Sequence, residues 1–104
     1  MNAGIYINKA EALLQRKTSD WRSKIEESLQ KAIATAKEND DFASLIQAQC
    51  FLGESLFMRG EYKRARESLS FAVENAKTKE DFDDMFDQEI ASANLLILLI
   101  DRYA

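Results

Sequence analysis

The sequence predicts an all-α protein built as a short stack of antiparallel helix hairpins, with about five helices. Three observations lead there: the absence of proline with only three glycines, apolar residues spaced at three and four throughout, and an internal repeat with a period of forty. Without proline or clustered glycine, a β-sandwich or barrel with many tight turns has no turn chemistry to build on. At 104 residues and 11.9 kDa the chain is read as one domain, residues 1–104.

The repeat is visible when the sequence is laid over itself with a shift of forty. Glu27, Ser28, Leu29 and Ala32 return as Glu67, Ser68, Leu69 and Ala72. Ala36, Lys37, Asp41 and Phe42 return as Ala76, Lys77, Asp81 and Phe82, so the eight identities fall in one register without a gap. A period in this range marks units that each bury an apolar face on the next.

The first helix, about 4 to 17, carries Tyr6, Ala10, Leu13 and Leu14. The second, about 20 to 38, shows a stripe of Trp21, Ile25, Leu29, Ala32, Ile33 and Ala36, and Thr18, Ser19 and Asp20 offer it an N-cap oxygen. The third, about 41 to 58, follows the Asn39, Asp40, Asp41 turn and presents Phe42, Leu45, Ile46, Leu52 and Leu56, with Gln49 the polar member of its stripe. Gly60 separates it from the fourth, about 61 to 78, whose face is Tyr62, Ala65, Leu69, Ala72, Val73 and Ala76. The fifth, about 81 to 102 with Asp81 as its cap, aligns Phe82, Met85, Phe86, Ile90, Ala93, Ile97 and Ile100. Short connections make neighbouring helices antiparallel, and Gly53 with Ala32, Ala36, Ala65 and Ala72 lets their axes approach closely.

Composition narrows function mainly by exclusion. Fourteen Lys and Arg against eighteen Asp and Glu give a net charge of −4, which opposes nucleic-acid binding because no basic excess displaces counterions. Lys63, Arg64 and Arg66 form the one basic cluster and are flanked by Glu61 and Glu67, as on a solvated helix face. The longest apolar run, Leu95 to Ile100, is far short of the roughly 20 residues that span a bilayer. A single cysteine and no secretory signal place the expectation in a reducing cytoplasm.

Catalytic, cofactor and metal chemistry find no footing in the residues. The chain has no histidine, which removes the commonest general base and metal ligand. Cys50 lies beside Phe51 and Leu52 and reads as a small packed hydrophobe. The acidic run Glu80, Asp81, Asp83, Asp84, Asp87 and Glu89 fails as a calcium loop, since Phe86 and Ser92 stand where glycine and glutamate are needed. It reads as an acidic helix start instead.

From Ala48 to Ala76 the sequence resembles the tetratricopeptide repeat family. Leu52 and Gly53 are similar to the family's Leu-Gly pair, Leu56 to its next large residue, Gly60 and Tyr62 to its turn glycine and following aromatic, and Ala65, Leu69 and Ala72 to its small, large, small series. Gln49, Lys77 and the longer period depart from the usual pattern of about 34 residues. HEAT-type repeats share the longer period but lack the Leu-Gly and Gly-x-Tyr elements.

The resemblance implies a curved solenoid whose concave side binds a partner. It places Gln47, Cys50, Glu54, Phe57 and Met58 of the third helix, and Ile90, Asn94, Ile97 and Leu98 of the fifth, toward that groove. Glu54 opposes a terminal carboxylate, while Phe57, Met58, Ile97 and Leu98 suit an apolar or amphipathic helix. Leu95 to Ile100 is apolar on every side, so a second copy, the next helix of a longer parent chain or a distinct partner is expected to cover it. The function expected is a protein-binding adaptor, scaffold or chaperone-like holder that self-associates through its last helix. The alternative is a regulatory domain that takes a small peptide or ligand and controls a fused effector.

Overall fold

The computed structural model describes residues 2–17, 19–78 and 85–104. It is all-helical among these: α1 (Ala3–Arg16), α2 (Trp21–Glu38), α3 (Phe42–Met58), α4 (Tyr62–Thr78) and α5 (Asp87–Tyr103). Each helix packs on its neighbour in the chain, and α3 additionally touches α1 and α5. The molecule is therefore a stack of hairpins in two layers, with α1, α3 and α5 in one and α2 and α4 in the other. Its extents of 40 × 39 × 19 Å match that arrangement, because the short dimension is about two helix diameters.

Residues forty apart occupy equivalent seats. Leu29 and Leu69 are both fully buried in one core that reaches all five helices, as are Ile25 and Ala65. Ile46 and Phe86 are both buried and meet in a smaller cluster with Cys50, Ala72 and Ala76.

Helix ends obey local rules. Asn2 accepts a hydrogen bond from the Ile5 amide at 3.2 Å, and Asp41 does the same for Ser44 at 3.1 Å, which satisfies one orphan amide at each start. Asp20 stands at the start of α2 without a side-chain cap and lies 3.4 Å from the Lys24 ammonium. At the end of α3 the Glu61 amide bonds the Leu56 carbonyl at 2.9 Å and the Gly60 amide bonds Phe57 at 3.0 Å. That is a Schellman closure, and it requires the φ of +81° that Gly60 adopts without strain. Asp40 closes α2 in the same way with φ 52°.

The expectation for the fifth helix is corrected. Helix α5 begins at Asp87, with Met85 and Phe86 in a turn before it, and the proposed cap Asp81 and stripe residue Phe82 lie outside the described residues. Phe86 is buried at the N-cap position, where its ring packs in the smaller cluster and its carbonyl accepts from the Ile90 amide at 2.8 Å. Met85 is exposed and does not join the apolar face.

Candidate functional site: a groove across the first helices

Three helices of the same layer enclose an open groove of about 420 Å³. Helix α1 contributes Ile7, Glu11 and Leu14, spaced at four and three so that they share one helix face. Helix α3 contributes Gln47, Cys50, Phe51 and Glu54, and α5 contributes Gln88, Glu89 and Ser92. Ile7 is buried and Leu14 and Phe51 half-buried, all three packed in the main core, so the apolar part of the groove is a fixed surface.

The electrostatics of this groove are one-signed. Each helix brings one carboxylate, Glu11, Glu54 or Glu89, and the lining holds no Lys or Arg. Burial, followed by the nearby Glu89, pushes the Glu54 carboxyl above the usual carboxylate range. The Cys50 thiol is pushed up to about 12 by burial first and then by Glu54 and Glu89. It stays protonated near neutral pH and is a poor nucleophile. Among the described residues no three Cys, Asp or Glu side chains converge closely enough to hold a metal ion.

Residues expected at the groove divide into two sets. Gln47, Cys50 and Glu54 line it. Phe57 instead packs on the core and meets the Tyr62 ring edge-on at 5.4 Å, while Met58, 71% exposed, borders a small hollow beside Leu14 and Trp21. In α5, Ile90 and Ile97 pack into the core, and Asn94 and Leu98 are exposed away from the lining. The period of forty carries Cys50 and Glu54 onto Ile90 and Asn94, yet the groove uses Gln88, Glu89 and Ser92.

The contribution of α1 was not anticipated, although the spacing of Ile7, Glu11 and Leu14 carried it. The apolar run of α5 is also better covered than its composition suggests. Ile100 is buried, Leu96, Ile97 and Leu99 are half-buried, and Leu95 and Leu98 remain 56% and 58% exposed.

No family model, curated protein or solved structure matches the chain. The reading of the site therefore stands on its residues and geometry. No helix among the described residues is long and apolar enough to cross a membrane.

Proposed function

We propose that the chain is a tetratricopeptide-like interaction module, an adaptor or chaperone-like holder that docks a helical or peptide segment of another protein in the groove. The observation that carries this is the groove itself, a concave surface shared by α1, α3 and α5 with a fixed apolar floor and a polar rim. Such preformed grooves suit an amphipathic segment because little ordering is required of the receptor. The absence of histidine and the protonated Cys50 favour binding over catalysis. A reducing cytoplasm is the setting this reading assumes.

Selection from a displayed peptide library tests it. Peptides retained by the wild-type chain should be lost by a variant whose groove is filled, Gln47→Trp with Ser92→Trp, while its helical spectrum is unchanged. Equal retention by both proteins would place binding elsewhere and end the groove reading.

Self-association through the exposed Leu95 and Leu98 face of α5 is a second part of the proposal. Sedimentation should show a concentration-dependent dimer that Leu95→Glu with Leu98→Glu abolishes. A strict monomer at high concentration would remove it.

A further inference from the structure

We infer that the groove takes a basic segment of another protein, whose Lys or Arg side chains meet Glu11, Glu54 and Glu89 while an apolar neighbour rests on Ile7 and Phe51. This rests on the docking reading above and adds the sign of the partner's charge. Several carboxylates elsewhere on the surface are matched within the chain: Glu26 by Arg59 and Arg64, Asp101 by Arg66, Glu27 by Lys31 and Asp20 by Lys24. Among the described residues the three groove carboxylates have no such cation, although one stands on each wall and one on the floor helix.

Their spacing also selects the kind of ligand. They do not converge on a metal-sized point, so one small cation cannot satisfy them together. A peptide segment with separated positive charges can. Crowding within the groove is repulsive: the titratable groups that face Glu54 are Glu11 from α1, Cys50 from its own helix and Glu89 from α5, and Glu89 with burial already raises the Glu54 carboxyl. A cation relieves that repulsion, whereas a phosphate or a terminal carboxylate adds to it. Gln47, Gln88 and Ser92 supply neutral donors and acceptors between the charges. The chain's net charge of −4 further favours encounter with a basic partner.

Calorimetric titration of the full chain tests this with three synthetic helix-forming peptides of one design, Leu-containing and carrying Lys, Gln or Glu at the charged positions. The Lys peptide should bind at least about tenfold more tightly than the Gln peptide, and the Glu peptide should give no heat of binding. Glu54→Gln with Glu89→Gln should weaken the Lys peptide about tenfold. Glu38→Gln with Glu74→Gln, which removes the same charge outside the groove, should change it less than about twofold. Circular dichroism and melting confirm that both variants fold.

If the Gln or Glu peptide binds as tightly as the Lys peptide, the charge assignment is overturned while the docking reading survives. If none of the three binds, the docking reading itself fails. Equal weakening by the two double variants would assign the effect to the diffuse field of an acidic protein and overturn the site. Binding of spermidine in the groove without binding of the Lys peptide would overturn the choice of a protein segment.

Discussion

At Gly53 the two helices of the central hairpin come so close that a Cβ would lie 2.5 Å from Cγ of Leu69 and 2.6 Å from its Cδ2. The Ala65 carbonyl oxygen, one turn earlier on α4, is 3.3 Å away, and Leu69 is fully buried, so neither neighbour has free space to retreat into. Glycine inside a helix costs about 1 kcal/mol relative to alanine, and overpacking a closed core costs about 1–3 kcal/mol. The second effect is expected to win. Gly53→Ala should lower stability to urea by about 1–2 kcal/mol. In a Leu69→Ala background the same change should become stabilising, since the obstructing side chain is gone and the 3.3 Å approach to the Ala65 carbonyl needs a shift of only a few tenths of an ångström. A double-mutant cycle reads the difference. Stabilisation by Gly53→Ala in the wild-type background would mean that the close approach is not there. A close approach at Gly53 was legible in the sequence, where it stands as a small residue beside Leu52, but that Leu69 is the side chain it meets was not. The gathering of Glu11, Glu54 and Glu89 in one groove was not legible, since that depends on which face of α5 turns inward.

Charged side chains at the junctions fix how one hairpin sits on the next. Glu26 of α2 accepts hydrogen bonds from Arg59 Nη1 and Arg64 Nη2, both at 2.6 Å, and the same two arginines reach Glu61 at 2.9 and 3.0 Å. Four charges thus close a ring between α2, the α3–α4 turn and α4. At the next junction Arg66 of α4 holds Asp101 of α5 through two contacts of 2.6 and 3.0 Å. Glu26 and Arg66 are forty apart, as are Glu61 and Asp101, so one seat changes sign between the two junctions. That reversal discourages α2 from pairing with the face meant for α4. Arg64 first, and then Arg59, hold the Glu26 carboxyl below its ordinary value against the opposing effect of burial. A carboxyl depressed in the folded state contributes stability above its unfolded pKa, and that contribution disappears as pH falls through the lower folded value. Glu26→Gln should therefore cost about 1–2 kcal/mol at pH 7. The deficit should begin to shrink as pH falls through the ordinary glutamate range, where the unfolded carboxyl protonates, and should disappear once the folded carboxyl protonates at its lower value. Urea titrations across pH 3 to 7 measure it, and a deficit that stays constant with pH would show that the ring is not electrostatic. Asp101, about half exposed, offers a screened comparison in which Asp101→Asn should matter less. The first four helices were legible to within a residue at each end because apolar periodicity and turn residues agree there. The start of α5 was not, because Phe86 satisfies the apolar pattern of a helix while its burial is achieved from the turn.

Stacked units draw their stability from the interfaces on either side, so position in the stack should set how readily each helix opens. Helices α3 and α4 lie between neighbours, with α3 touching α1, α2, α4 and α5. Helix α1 rests mainly on α2 and only lightly on α3, and α5 rests on α4 and α3. The main core agrees at the C-terminal end: α3 places Leu45, Ala48, Leu52 and Leu56 in it, whereas α5 contributes Ala93 and Ile100 as its buried members. Fully buried Leu29 and Leu69 mark the two centres of this core, one in each of the first two hairpins. Amide hydrogen exchange should therefore be slowest around Leu52 to Leu56 and Ala65 to Ala72, and at least about tenfold faster in α1 and in the last two turns of α5. A basic peptide that bridges α1, α3 and α5 should slow exchange most in α1 and α5, since it supplies the contacts that the outer helices lack. Uniform protection in all five helices of the free chain would reveal a single cooperative globule. The groove would then be a dent in a rigid body, with no outer helices for a ligand to secure.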